Sequence, residues 1–374
     1  MTGHIEKTVF ICFWAFCLVL NACTSPIPPS IAPTSTNIPT ASKELILPSL
    51  FYIADNQLYE QQSDGATLIR ANLGEEGDIM DAVRVKDSVF VLRGKGLQRI
   101  DMKTGKTKMV VEFDKTPLWG ELDRTSDDNL LLYSIALDST CSSTGTGATV
   151  GLYQINKDIS REVFAKDEGT IKPLGLTTDG QNMYGLPFGC DPEFDRFWLI
   201  SIDQGKITKE LQTSDAISKE YGEAYAALSL DARFLAFTTL HRVEPEDPPK
   251  YRLSVYDLES LMIERYELPK PSSYGDGLLW SPNSEKLYFI LNPGAPYDDS
   301  SESYGLWSLD IHTGVFLPVT SLDNRFIHLV SISSDGEWIL LQPETEPSVT
   351  YVHVPTGEQF VINLPPEGLS KIVR

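Results

Sequence analysis

Beyond the N-terminal apolar run the chain carries four histidines, His241, His312, His328 and His353. Histidine does acid–base work beside a carboxylate, or holds a metal beside Cys, Asp or Glu. No two of these four stand at a metal-ligand spacing, and each is expected in a different structural unit. Neither a His-Glu-x-x-His helix nor a Gly-x-Ser-x-Gly elbow is present. Glu121 and Asp123 are candidate carboxylates for catalysis, but no base accompanies them in sequence. Gly145-Thr-Gly-Ala-Thr-Val-Gly151 has the glycine content of a dinucleotide loop. That fingerprint needs a strand before it and a helix after it, whereas a Ser/Thr-rich stretch precedes this one and a strand pattern follows. Asp191, Glu193 and Asp195 are of the right type for Ca²⁺ but follow no known calcium-loop pattern. The sequence therefore assigns no catalytic residue, no metal and no cofactor.

The elements that would position any such residues are marked by a repeat. Asp127, Asp179, Asp231, Asn283 and Asp335 follow one another at a constant step of 52 residues. Each is framed by a small polar residue before it and a turn residue and apolar strand after it, as in Ser281-Pro-Asn-Ser-Glu-Lys-Leu-Tyr-Phe. Self-similarity at such a step signals stacked supersecondary units. A second motif, a strand ending in a polar turn, recurs seven times. Its copies run over 58–65, 97–105, 152–158, 198–205, 253–260, 306–314 and 351–357. No stretch shows sustained helical periodicity. Seven units of four short strands predict an all-β, seven-bladed β-propeller of antiparallel blades. In each unit strand a lines the channel, strand b is buried on both faces, and strand d is the polar outer edge. Blade 1 lacks a strand a of its own, and the segment from Gly368 to Arg374 is expected to supply it and so close the ring.

At these residues the chain resembles the TolB-like propeller repeats, whose hallmark is a Trp-Ser-Pro-Asp-Gly-type turn followed by a strand. Trp280-Ser-Pro-Asn283 is the nearest copy, and Ser333-Ser-Asp-Gly336 is next. The resemblance covers blades 3 to 7 through the turn and blades 1 and 2 only through the second motif. It implies the fold and says little about activity, because such propellers serve as binding platforms, peptidase subdomains and sugar-processing enzymes.

The b–c connections are short in blades 1 and 2 and long in blades 3 to 6. Three long ones are acidic and hold aromatics or prolines. They contribute Asp191, Glu193, Phe194 and Asp195; Glu244, Glu246 and Asp247; and Tyr297, Asp298, Asp299, Glu302 and Tyr304. Long loops on a rigid scaffold are where binding concentrates, so these residues form the expected binding face. Cys141 and Cys190 fall in equivalent b–c loops of adjacent blades 3 and 4, which predicts a disulfide in an exported protein.

Residues 1–22 read as a signal peptide. The apolar run from Val9 to Leu20 is too short to span a bilayer. Leu20-Asn-Ala-Cys23 resembles the lipobox of bacterial lipoproteins, in which Cys23 is lipidated and becomes the new N-terminus. Residues 23–43 hold five prolines and eight Ser or Thr between Thr24 and Lys43, a composition that makes an extended tether. At about 3.1 Å per residue that tether reaches ~60 Å. The propeller is expected over residues 44–374. The whole chain has 52 acidic and 31 basic residues, a net charge of −21, with no basic cluster, which excludes nucleic acid as a partner. The sequence thus predicts a lipid-anchored, extracytoplasmic propeller of the bacterial envelope. The expected function is a non-catalytic binding or scaffold module for a protein, peptide or glycan. A propeller hydrolase or lyase acting on peptide or carbohydrate is the alternative.

Overall fold

The computed structural model describes residues 45–75, 77–125, 128–137, 148–166, 170–188, 193–220, 223–224, 226–241, 250–269, 273–293, 304–322, 327–343, 346–365 and 369–374. The chain divides into two units, residues 1–45 and 46–374, and the description below concerns the second. It is all-β, with seven four-stranded antiparallel blades. Blade 2 is typical, with strands Ile79–Val85, Ser88–Arg93, Gly96–Asp101 and Thr107–Glu112 running from channel to rim. Blade 6 follows the sequence expectation closely, with Ser273–Trp280, Lys286–Pro293, Tyr304–Asp310 and Val315–Leu322.

Burial explains the strand types. Strand b packs against a neighbouring blade on each face, so Leu50–Ala54 and Ser88–Arg93 are buried at every position. Strand d has one wet face, so Gln359–Asn363 alternates between exposed and half-buried. The cores are interblade cores. Phe51, Ile53 and Leu58 of blade 1 pack on Ala82, Val89 and Val91 of blade 2. Tyr288 and Ile290 of blade 6 likewise pack on Ile339 and Leu341 of blade 7.

Closure occurs as expected. Leu369–Ile372 pairs antiparallel with Leu50–Ala54 as the innermost strand of blade 1. The chain end also reaches blade 2, where Arg374 N–H donates to the Ala82 carbonyl (3.1 Å) and its own carbonyl accepts from Arg84 (2.7 Å).

The 52-residue step has a hydrogen-bonded basis. In blade 6 the Ser281 hydroxyl donates to Asn283 Oδ1 (2.7 Å) and accepts from Lys286 N–H (2.9 Å). Thr177 with Asp179, Ser229 with Asp231 and Ser333 with Asp335 make the same turn in blades 4, 5 and 7. Asp127 lies outside the described residues, but Thr125 accepts from Leu130 N–H at 3.2 Å, at the same place in blade 3. The hydroxyl and the carboxylate together satisfy the turn's backbone donors, which a hydrophobic pair could not do. Trp280 adds a staple between blades: its Nε1–H donates to the Ala227 carbonyl of blade 5 at 2.9 Å.

Three glycines of the second motif, Gly105, Gly205 and Gly357, answer to two demands at once, whereas Gly65 has positive φ but open space around it. Gly357 has φ +72°, and a Cβ there would lie 2.5 Å from the Val319 carbonyl oxygen of blade 6. Gly105 is alike, at φ +67° and 2.6 Å from the Arg70 carbonyl of blade 1. The c–d turn is therefore where one blade leans on the rim of the preceding one.

Blades 4 and 5 depart from the expected separation. Lys206–Glu220, the outer strand of blade 4, is 15 residues long. Its pairing with Glu193–Ser201 begins at Lys206 and reaches Ser218. Towards that end Ala216 and Ile217 also pair with Leu240 and Thr239 of blade 5. The two blades thus share one continuous nine-stranded sheet.

Candidate functional site

Innermost strands from all seven blades line one axial cavity of about 990 Å³. Their contributions are unlike. Blade 2 supplies Asp81, blade 3 Glu121 and Asp123, blade 4 Lys172, blade 7 His328, and the closing strand of blade 1 Lys371 and Arg374. Blades 5 and 6 supply the small or apolar Ala227, Leu228, Gly277 and Leu278. Pro117, Leu118 and Trp119 lie where the chain enters the innermost strand of blade 3, on the side of the b–c connections.

The charged residues form two groups. In the first, Asp81 accepts from Ala82 N–H (2.8 Å) and from Leu122 N–H of blade 3 (2.9 Å). Arg374 Nη2 bonds Asp81 Oδ2 and also donates to the Leu122 carbonyl (2.6 Å). Lys371 Nζ stands 3.7 Å from Asp81 Oδ1. In the second, Lys172 Nζ is 3.5 Å from Glu121 Oε1. The first group ties blades 1, 2 and 3 together, and the second ties blade 3 to blade 4. Burial opposes the charge of Arg374, but Asp81, Asp123 and Glu121 outweigh it and hold the guanidinium firmly protonated. Its side chain is still 41% exposed.

Asp123 has the most perturbed acid of the site. Enclosure in the channel wall pushes its carboxyl up from 3.8 to about 6. Arg374 and the Arg124 N–H pull in the other direction, and Glu121 adds to the rise. A second cavity of about 340 Å³, on the side of the a–b turns, shares Asp123, Leu174 and Leu228 with the first. Asp123 therefore stands between the two spaces.

The histidines are arranged differently from the expectation that each belongs to its own blade. His328 and His353 both belong to blade 7. His328 is exposed and lines the channel. His353 is buried, with Nδ1 2.9 Å from Thr356 Oγ1 and its ring 4.8 Å from that of Trp338, which is a packing role. His312 is exposed in the c–d turn of blade 6. His241 ends the strand Phe234–His241. Among the described residues no three His, Cys, Asp or Glu side chains converge to hold a metal.

Most of the expected binding face lies outside the described residues. That holds for Asp191, Glu244, Glu246, Asp247, Tyr297, Asp298, Asp299 and Glu302, and for Cys141, Cys190 and Cys23. The backbone of residues 193–195 is strand rather than loop, and Tyr304 begins the strand Tyr304–Asp310. The two short b–c connections are as expected: Asp55 and Asn56 turn blade 1 with φ of 47° and 56°.

Arg93 is a residue that sequence reasoning missed. It ends strand b of blade 2, on the side of the b–c connections, and is fully buried. Its guanidinium donates to the carbonyls of Leu73 (2.8 Å), Gly74 (3.1 Å) and Gly77 (2.9 Å) and to Asn56 Oδ1 (3.0 Å). It thereby fixes the connection from blade 1 to blade 2 beside Asp78 and Gly94 of the channel lining. A side chain that reaches back to the carbonyls of the preceding connection leaves no mark in sequence.

No protein-family model and no curated protein matches the chain. Solved structures do. An oligogalacturonate lyase in complex with manganese superposes with a TM-score of 0.60 at 14% identity, covering 83% of each chain. The oligogalacturonate lyase of Vibrio parahaemolyticus gives 0.58 at 10% identity, covering 84% of this chain and 91% of the other. TolB from Acinetobacter baumannii gives 0.50 at 13% identity, covering 89% and 88%. The likeness is one of fold.

Proposed function

We propose that this chain is a lipid-anchored, extracytoplasmic binding module whose ligand seats in the axial channel of the propeller. One observation carries the reading. Seven innermost strands bring unlike residues to a single cavity of about 990 Å³, the upper end of the size range of ligand sites. Most of its charges are paired: Asp81 with Arg374 and Lys371, and Glu121 with Lys172. Paired charges can orient and select a ligand, and a carboxylate already bonded to a cation is poorly placed to take a proton from a substrate. The acidic b–c loops of blades 3 to 6 would surround the channel mouth and steer a partner to it. Anchoring rests on Cys23 and the tether of residues 23–43.

Two measurements test this. Membrane fractionation of the full chain against Cys23→Ala tests the anchor, which fails if the fully processed variant still sediments with membranes. Thermal-shift screening of the propeller against peptides and glycans tests the channel. A ligand that stabilises the native chain equally in a Leu278→Trp variant, in which the cavity is partly filled, would place binding elsewhere.

A second reading has its own support. The Asp123 carboxyl titrates at about 6, and Lys172 and His328 line the same space, which is the equipment of an acid–base enzyme. Two of the structural neighbours are oligogalacturonate lyases. Incubation with oligogalacturonate, with and without manganese, tests it: unsaturated products that vanish in Asp123→Asn would establish an enzyme.

A further inference from the structure

The cavity on the side of the a–b turns is built unlike the channel it adjoins. It holds about 340 Å³, the lower end of the range of ligand sites, and its lining comes from blades 3, 4 and 5. Leu130, Leu174, Leu176, Leu228 and Leu230 give it apolar walls. Leu230 is the odd member of its series. The position between the turn hydroxyl and the turn carboxylate is Ser126, Thr178, Pro282 or Ser334 in the other copies, whereas blade 5 has a leucine there, 46% exposed. The carboxylates of this cavity outnumber its cations. Asp123, Asp179 and Asp231 line it against Arg124, whose guanidinium is engaged by a fourth carboxylate, Asp128, at 2.9 Å. Asp179 and Asp231 are committed to their own turns, where each accepts from a hydroxyl and a backbone N–H. Asp123 has no such commitment. Among the described residues its carboxylate accepts one hydrogen bond, from the N–H of Arg124. Arg374 attracts it through space but bonds Asp81 and the Leu122 carbonyl instead. Its carboxyl is raised to about 6, the behaviour of a carboxylate enclosed without a bonded cation.

We infer that this second cavity is a site for a small aliphatic amine, whose ammonium bonds Asp123 and whose hydrocarbon tail packs among the leucines. Asp179 and Asp231 add negative potential at the turn side without giving up their turn bonds. Enclosure strengthens the ion pair over one at the surface. The net charge of −21 draws a cation towards the molecule. The exposed Leu230 then has an apolar partner at the mouth of the cavity. A free alkylamine and the amino terminus of a peptide share this chemistry. The inference goes beyond the reading of the channel as a binding site and does not depend on it.

The test is isothermal titration of the full chain with hexylamine, leucinamide, hexanol and methylamine. The first two separate a free alkylamine from a peptide amino terminus. At least one of them is expected to bind, more weakly as salt is added. It should bind roughly tenfold or more tighter than hexanol, which lacks the charge, and also tighter than methylamine, which lacks the tail. Asp123→Asn should weaken binding roughly tenfold or more, the worth of one charged hydrogen bond. Leu230→Ser changes an exposed turn position that is already serine in other blades, so the fold is kept, and it should weaken binding roughly threefold or more. Leu278→Trp fills the channel and not the second cavity, so it should leave amine binding unchanged. Hexanol binding as tightly as the amines, unchanged affinity in Asp123→Asn, or silence from both amines overturns the inference. Binding lost in Leu278→Trp but kept in Leu230→Ser also overturns it, and makes the amine a ligand of the channel. Failure of the channel reading shows separately, in the thermal-shift screen.

Discussion

The a–b turns and the innermost strands that lead into them are only a few residues apart, yet they follow opposite rules. Blades 4, 5, 6 and 7 build their turns from one recipe, a hydroxyl two residues before an Asp or Asn, with the same bonds each time. The strands just before those turns present Lys172, Ala227, Leu278 and His328 to the channel, with no shared character. Repetition marks what these blades share as architecture. Divergence marks what the ring does as a whole. The same contrast separates the second motif, where Gly105, Gly205 and Gly357 touch the preceding blade, from the acidic b–c loops, whose lengths differ from blade to blade.

The largest expected effect comes from a residue on the architectural side. Arg93→Leu should destabilise the fold by at least about 3 kcal/mol, since it leaves several buried carbonyls without a donor. Urea unfolding measures this, and a loss below ~1 kcal/mol would mean that water replaces the guanidinium. Next is Gly357→Ala, which must bear a positive φ and a clash with the Val319 carbonyl, together costing about 2–3 kcal/mol. Gly180→Ala is its control: φ is again positive, at +65°, but the space around it is open, so only the conformational cost of about 1 kcal/mol applies. Equal losses at the two sites would show that contact between blades contributes nothing.

A smaller effect of opposite sign is expected in the channel. The carboxyl of Asp123 is raised from 3.8 to about 6, so between those values the native chain keeps a proton that the unfolded chain has lost. Stability from this group therefore falls as pH rises through that window, and above it the fold carries an enclosed charge. Asp123→Asn should stabilise the chain at neutral pH by on the order of 1 kcal/mol, less than the full shift implies because channel water screens the charge. The gain should disappear below about pH 4, where both states are protonated. A pH series of melting temperatures checks it, and a variant that is less stable at neutral pH would show that pairing with Arg374 dominates. The turn carboxylates behave in the reverse sense. The Ser333 hydroxyl and the Glu337 N–H hold Asp335 below the usual range, so its stabilisation is present above the unfolded value and lost as the medium becomes more acid than its own lowered value.

The architecture was legible in the sequence because its determinants are local. Thr125, Thr177, Ser229, Ser281 and Ser333 stand 52 residues apart, and each acts within five residues of itself. The channel was legible only at Glu121 and Asp123, which stand two apart on one strand. Asp81 and Arg374 meet across 293 residues of chain, and only ring closure brings them together. Lys172 and Lys371 read as ordinary surface lysines, because nothing local says which face of a short strand turns to the channel. Arg93 was missed for the opposite reason: arginine is so rarely buried whole that its type argues against its position. The shared sheet of blades 4 and 5 was missed because residues 214–220 carry no turn signal that would distinguish a strand extension from a loop.

The division between repeating turns and diverging channel is tested most directly by one paired measurement, the unfolding free energies of Ser333→Ala and Lys172→Ala under the same conditions. The serine variant loses a hydroxyl that donates to Asp335 and accepts from Trp338 N–H, and should cost about 1 kcal/mol. The lysine variant loses a half-exposed pair with Glu121 and should stay within about 0.5 kcal/mol of the parent chain. Equal losses, or a lysine variant less stable than the serine variant, would mean that the channel charges hold the ring together, and would contradict their assignment to a ligand.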